Sequence, residues 1–489
     1  MLQPGSHPLH KFLGYASSEH IVSMSARDPF DGRGMPPNGK DHISTYCIRG
    51  VRKLSSSAWQ EYTDICNPDA VVPLSDTPFT TPPQSQKRLT KSIERSVTWL
   101  ADLLKYRAKS QPYQMFNAAP LYHAASNVLL HMAGGVSLQA RKAFAENLVE
   151  SLDERDIEQL RPFHRLDDGV AGYVFDLAPL RTALSPGLSS IVRGVSDNLG
   201  PQPDLSETPS ELSKLLQASL RPLPPNKPRF INSAKSPHEM LRLMRDVGID
   251  LFDAHWVQRA ADIGIALDFQ FPIPQYPSES ASAGGNIQCA APKVRGGGKF
   301  DLGHNLYHTC YSHDHSRLAS SFLDGLSLQG KSDSVAVPEG SHSICPCGAC
   351  SPIRPSAIVR HSIVDDLSFS DAPESPHTSQ FLPPYARSYI HHLLHTHEMS
   401  AHSLLVMHNL SILDAFLTGV REVLARSDDD KAFIREMEKF CDMYDESMVV
   451  FDEGRSHWVE VELARGKGRL AREKVKQAER PSVGTSIET

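Results

Sequence analysis

The sequence lacks any run that would carry it into or across a membrane. No stretch approaches the roughly 18 uninterrupted apolar residues of a span, and Met1 to His10 has neither a charged start nor an apolar core, so neither a span nor a signal peptide is expected. It also lacks an excess of positive charge. A formal net charge of −7 and a pI near 6.4 give no global attraction to phosphate, so nucleic-acid binding would need a local patch or a partner. A disulfide framework is missing too: Cys47, Cys66, Cys289, Cys310 and Cys441 are scattered and odd in number, which favours a reducing compartment. The glycine run Gly296-Gly297-Gly298 has no helix-opening Lys-Ser/Thr after it, so it reads as a flexible hinge and not as a phosphate cradle.

What is present is a cluster. Three of the eight cysteines fall within six positions, Cys345-Pro-Cys347-Gly-Ala-Cys350, where Pro346 and Gly348 favour a tight turn over a core helix. Such a turn supplies three thiolates, and a tetrahedral Zn²⁺ needs one more ligand from elsewhere. The stretch that follows offers His391, His392, His395, His397, His402 and His408, and spacing alone does not choose among them.

At 489 residues, 40% hydrophobic and 22% charged, the chain can bury a sizeable core in one large domain with appendages or in two or three domains. Strand and helix alternate along it. Ser56 to Ile65 reads as a helix, Ala70 to Leu74 as a buried strand, and Lys91 to Leu104 as a helix with Ile93, Val97, Leu100 and Leu104 at helical spacing. Strands are expected at 128–132, 171–177, 227–232 and 248–253, with helices at 138–152, 210–220 and 236–247, the last with a Ser236 cap and Pro237 at its first position. The alternation predicts a parallel α/β sheet, open or closed. Residues 1–45 yield little. Leu413, Phe416, Leu417, Val420 and Leu424 form an apolar stripe best read as packing. The seven Lys and Arg between Ala464 and Arg480 read by default as a solvated tail, with RNA contact as the alternative.

The thiol turn, then Arg387-Ser388-Tyr389-Ile390-His391-His392-Leu393, Glu398-Met399 and His408-Asn409, resembles the zinc subdomain of the tRNA-guanine transglycosylases. Lys227-Pro228-Arg229-Phe230, Ser236 to Leu241, Gly248 to Asp253 and Gly264 to Leu267 follow in the order of the same family. The resemblance covers roughly residues 48 to 425, and strongly those from 226 onward. It implies a (β/α)₈ barrel with an inserted zinc subdomain, and one Zn²⁺ held by Cys345, Cys347, Cys350 and His408. On this reading residues 46–300 form the barrel core and 301–425 the zinc subdomain. Inserted loops fall at about 316–343 and 351–384, because 58 positions separate Cys350 from His408 where the family has roughly half that. Residues 426–489 are a C-terminal extension, and the first barrel strand has no clear counterpart before Tyr46.

The family's catalytic wording is eroded. Phe252-Asp253-Ala254-His255 stands where the resemblance places the nucleophile motif, so Asp253 keeps that residue's type. The acid/base string D-S-G-G-[FY]-Q is missing, its nearest counterpart being Leu74-Ser75-Asp76-Thr77-Pro78. Met132-Ala133-Gly134-Gly135 replaces V-Q-G-G, and Ala171 to Leu177 replaces the remaining base-reading motif. A kept metal motif beside a lost base pocket resembles the family's non-catalytic accessory members. These pair with a catalytic queuine tRNA-ribosyltransferase subunit in a cytoplasmic heterodimer, with the mitochondrial outer surface as a further location. That pair exchanges guanine for queuine at the wobble position of tRNAs with GUN anticodons. Two rivals stand beside this expectation: an active transglycosylase using Asp253, and a zinc-clipped barrel scaffold unrelated to tRNA.

Overall fold

The computed structural model describes residues 7–30, 35–77, 83–110, 127–184, 210–273, 292–319, 345–352, 383–426 and 431–478, without the side chains of 109–110 and 465–478. Two compact units succeed each other, with the boundary between His255 and Trp256.

The first unit opens with α1 (Pro8–Leu13), β1 (Ser23–Met24) and the hairpin β2 (His42–Cys47) with β3 (Gly50–Ser55). After α2 (Ser56–Cys66), strand β4 (Ala70–Val71) pairs in parallel with β1. Thus Ser23 and Met24 supply a first parallel strand ahead of Tyr46, where the sequence shows none. After α3 (Gln86–Ser110), the parallel bridge Val71–Val128 extends the row to β5 (Leu129–His131). Helices α4 (Leu138–Val149) and α5 (Glu154–Leu160) lead to β6 (Gly172–Asp176). Helices α6 (Leu177–Leu184) and α7 (Glu211–Leu220) lead to β7 (Arg229–Asn232), and α8 (Pro237–Val247) to β8 (Leu251–Phe252). All neighbours from β5 to β8 are parallel. The row follows chain order with no reversal, unlike a doubly wound sheet, whose order turns back at a switch point.

Local chemistry explains the boundaries. Ser55, Ser137, Ser210 and Ser236 each precede a helix and accept a backbone N–H of its first turn. Gly248 closes α8 at φ 71°, and a side chain is disfavoured there. The interior of β6, from Gly172 to Phe175, is buried throughout, as a parallel strand covered on both faces should be. The mixed α/β content and the parallel pairing expected from the alternation are therefore present.

The second unit contains α9 from Trp256 to Asp262 (the helix as a whole is His255–Asp262), the antiparallel pair β9 (Ile265–Leu267) and β10 (Gly303–Asn305), and then α10 (Arg387–His395), α11 (Met399–Arg426), α12 (Ala432–Met443) and α13 (Val449–Ala478). Phe269, Phe271, Phe416 and Phe440 meet edge-on or tilted, with centroids 5.7–6.0 Å apart, in one core. Leu413, Phe416 and Val420 are buried in it, so their stripe is packing, while Leu424 at its end is exposed. By length and composition α11 could cross a membrane, but its His408, Asn409, Ile412 and Phe416 are buried inside the unit.

The glycine run at 296–298 is a tight turn and not a flexible hinge. Arg295 N–H donates to Lys299 O at 2.8 Å, and the Arg295 guanidinium is gripped by Asp301 and Glu453 at 2.7–2.8 Å. Likewise, the basic run after Ala464 is not a structureless tail, because the α13 backbone stays helical to Ala478. Its Ala, Arg, Lys and Glu content favours that state. Most of the two expected inserted loops lies outside the described residues.

Candidate metal centre and strand-end pocket

The thiol turn forms as its sequence predicts. Cys350 N–H donates to the Cys347 sulfur at 3.2 Å and Ser351 N–H to Cys347 O at 2.9 Å, which curls the three thiols inward. All three are buried, and His408 on α11 is fully buried against them. Its Nδ1 lies 3.3 Å from the Cys350 sulfur and 3.9 Å from that of Cys345, and the four ligand atoms fall within 4.8 Å of one another. Cys345, Cys347, Cys350 and His408 are thus brought together from positions up to 63 residues apart.

The tautomer follows from the surroundings. His408 Nε2 is 2.9 Å from Leu267 O, a group that can only accept, so Nε2 carries a proton and Nδ1 is the nitrogen left to face the sulfurs. That is how metal-ligating imidazoles are oriented from behind. Among themselves the four groups share protons unevenly. Bonds from Cys345 and Cys350 hold the Cys347 thiol well below its usual range, and bonds with Cys345 and Cys347 push Cys350 above it. Burial disfavours the His408 imidazolium, but bonding to the Cys345 and Cys347 sulfurs reverses this and raises it to about 9. A buried set of three thiols and one imidazole fits a four-coordinate metal ion.

The next residue is one that the sequence offered only as a motif letter. Asn409 is fully buried and works as a substitute strand: its Oδ1 accepts Leu267 N–H at 2.9 Å, while its Nδ2 donates to Ile265 O at 2.9 Å and Val257 O at 3.3 Å. On the other edge of β9, the ladder is filled by β10. His408 and Asn409 together therefore seal the strand edge that faces α11. Asn409→Ala would strand Leu267 N–H and Ile265 O in the core, and should lower stability by about 3 kcal/mol. Thermal unfolding and faster exchange of the Leu267 amide would register it; an unchanged amide would refute the account.

Four of the other five histidines of this stretch bond elsewhere, and His392 is exposed. His391 Nδ1–H donates to Leu306 O at 2.8 Å, His395 Nε2–H to Tyr307 O at 3.2 Å, and His397 and His402 face Glu462 and Asp262. The first residue of the Arg387-Ser388-Tyr389 motif is also buried. Arg387 reaches His304 at 2.9 Å and Asp314 at 3.3 Å, and His304 contacts Asp268 at 2.9 Å, so this network holds α10 down. A second grouping of potential ligands, His7, His10 and Asp69, had no signal in the sequence. There His10 Nε2 already meets Asp69 at 3.0 Å and His20 O at 2.9 Å.

In the first unit, a pocket at the strand ends is lined by Asp76, His131, Ala133, Gly134, Arg141 and Asp176. Gly134 adopts φ 113°, and a Cβ there would come within 2.7 Å of Arg141 N. Asp76 is fully buried and saturated: Arg88 grips both its oxygens at 2.8–2.9 Å, Arg95 adds 2.9 Å, and Asn38 Nδ2 donates at 2.6 Å. Burial pushes this carboxyl up, but those bonds more than offset it and hold it below the usual carboxylate range. Asp176 is occupied by His131 at 3.1 Å and Asn232 at 2.7 Å. Asp253 follows β8. Its Oδ2 accepts Ser233 N–H at 2.8 Å, and its buried Oδ1 has no hydrogen-bond partner among the described residues. Burial, partly offset by the bonds from Ser233 and His255, raises its carboxyl above the ordinary value.

Comparison with known proteins agrees with the resemblance read from the motifs. Residues 372–444 match the family model described as TGT, queuine tRNA-ribosyltransferase. Over 83% of its length the chain is 22% identical to the queuine tRNA-ribosyltransferase accessory subunit 2 of Schizosaccharomyces pombe, of which it covers 60%. It is 22% identical to the protein of the same name from Culex quinquefasciatus, with 84% of this chain and 68% of that one covered. For Ixodes scapularis the identity is 23%, with 84% and 75% covered.

Proposed function

From this similarity to queuine tRNA-ribosyltransferase accessory subunits over most of the chain, we propose that the protein is the non-catalytic partner of a catalytic transglycosylase subunit. The pair would exchange guanine for queuine at the wobble position of tRNAs with GUN anticodons, in the cytoplasm. The observation that carries this reading is Asp76. At the strand end nearest the family's acid/base motif, a carboxylate gripped by Arg88, Arg95 and Asn38 stays ionised and has no free lone pair on which to carry a proton for a leaving base. Meanwhile the metal centre keeps its full donor set.

We take the metal to be Zn²⁺, a structural ion whose four coordination positions Cys345, Cys347, Cys350 and His408 would fill, leaving none for chemistry. Its contribution would be to lock the thiol turn onto α11. The sequential parallel row of strands supports the (β/α)₈ barrel reading as far as Phe252; the rest of the span 46–300, from Trp256, packs in the second unit together with the proposed zinc subdomain at 301–425.

Association is the direct test. Tyr389, Met399, Met407 and Leu410 on α10 and α11 are exposed apolar side chains, which suit a partner surface. With Tyr389→Ser and Met399→Ser combined, co-purification with the catalytic subunit should fall about tenfold or more, while metal content and melting temperature hold. If the folded, metal-loaded wild-type chain never associates with a catalytic subunit at micromolar concentration, the proposal fails. The unbonded Oδ1 and raised carboxyl of Asp253 favour a second reading, an active transglycosylase, which the exchange assay below decides.

A further inference from the structure

We propose that the strand-end pocket of the first unit binds a small oxyanion, a phosphate or carboxylate group seated between Arg141 and the loop that opens α4. The site does not depend on the tRNA-modifying role, and each can fail alone.

Arg141 carries the argument. It lines the pocket and is only 2% exposed, yet no carboxylate among the described residues pairs with it. Its Nε–H and Nη1–H donate to neutral acceptors, Gly135 O at 2.6 Å and Ser219 Oγ at 2.9 Å, while Nη2 has no acceptor among the described residues. Burial, with no attraction set against it, lowers this guanidinium to about 10. A buried cation without a counter-charge is costly, and a bound anion would offset that cost.

The backbone beside Arg141 has the same polarity. Gly134 and Gly135 both sit at positive φ, 113° and 55°, and turn the chain into α4. The N–H groups of Gly134, Gly135 and Val136 find no acceptor among the described residues, and the Ser137 hydroxyl caps only Ala140 N–H. Free N–H groups in such a turn, at the positive end of a helix, are how backbone holds an oxyanion. Ala133 stands where the resemblance places a glutamine, so no side-chain amide is there to read a base edge instead.

The carboxylates of the pocket do not supply the missing charge. Arg88 and Arg95 hold Asp76, His131 and Asn232 hold Asp176, and Arg27 attracts both. Each negative charge there already has its partners, and Arg141 is left as the unbalanced one.

The test titrates the full, metal-loaded chain by calorimetry with sodium phosphate, and separately with sodium acetate, at an ionic strength held constant with chloride. At least one of the two should saturate at one equivalent, and saturation by one alone says which group the pocket takes. Arg141→Met keeps much of the side chain's length without its charge and should weaken binding at least about tenfold. Ala183, half-buried on α6 at the pocket, offers a second route that leaves Arg141 in place. Ala183→Glu should weaken binding about tenfold and Ala183→Lys should tighten it about threefold, because an added charge acts on an anion with opposite signs. Should Arg141→Met fail to fold, the Ala183 pair decides alone. No saturable binding of either anion up to about 50 mM overturns the site. So do Ala183 variants that shift the affinity in the same direction, and so does binding unchanged in every folded variant, which marks an adventitious ion only.

Discussion

Cys347→Ser is expected to release the bound metal and to loosen the segment from the thiol turn to α11. Serine keeps the volume of the side chain, but its hydroxyl does not ionise at neutral pH and is a poor zinc ligand, so three donors remain where a structural ion needs four. The Cys347 sulfur also accepts the Cys350 N–H that shapes the turn, so the variant weakens ligation and geometry together. Zinc binding to such sites contributes roughly 10 kcal/mol or more of apparent folding energy. Leu306, Ile390, Leu393 and Leu405, packed around the thiols, should lose order when it is gone. Metal analysis should fall from one equivalent towards none, with faster hydrogen exchange over residues 401–412. Cys310→Ser, at an exposed cysteine outside the metal centre, is the control and should change neither. The ligands bind metal as thiolates and neutral imidazole, so protons compete with it, and acidification should release the ion and destabilise the region. A Cys347→Ser protein that keeps stoichiometric zinc would sink the site.

Why this centre was legible, and the rest of the site less so, is a matter of sequence distance. Three ligands lie within one turn of chain, so their spacing alone carries the signal. The fourth is one of six nearby histidines, and what singles out His408 is the Leu267 carbonyl, 141 positions away, which fixes its ring. Asn409 has the same cause: its bonds to β9 span more than 140 positions and leave no local periodicity. In the first unit, alternation predicted the helices well because their serine caps are local. Strand lengths were less readable. The expected strand 248–253 begins late, its bonds to β7 running only from Asp250 to Asp253, since Gly248 is the cap of α8 and Ile249 N–H turns back to Leu243 O. Two-residue β1 has no period to detect, and β3 is exposed along most of its length, so neither shows a buried face in the sequence. The saturation of Asp76 was equally hidden, because Arg88 and Arg95 come from α3 while Asn38 comes from a segment 38 positions before Asp76.

In an exchange assay, the purified chain alone should incorporate no labelled guanine into tRNA, and adding the catalytic subunit should raise incorporation by about a thousandfold or more over that background, as when a complete nucleophile and acid/base pair is supplied. Asp253 is the residue on which the opposite outcome depends. Asp253→Asn keeps an oxygen to accept the Ser233 N–H and preserves volume, so it removes the nucleophilic carboxylate with little disturbance of the fold. Turnover of the assembled pair should then stay within about twofold of wild type, because the reaction would run on the partner's carboxylates. Asp253 is buried with one unbonded oxygen, and a raised carboxyl in such a setting is what an active-site acid can show. If the chain alone exchanges guanine, and Asp253→Asn abolishes that exchange while metal content and melting temperature are unchanged, Asp253 is a nucleophile and the chain is an enzyme. The geometry argues for the other result. An attack on the anomeric carbon also needs a proton for the departing base, and the nearest family-equivalent carboxyl, Asp76, is held ionised and fully bonded by Arg88, Arg95 and Asn38.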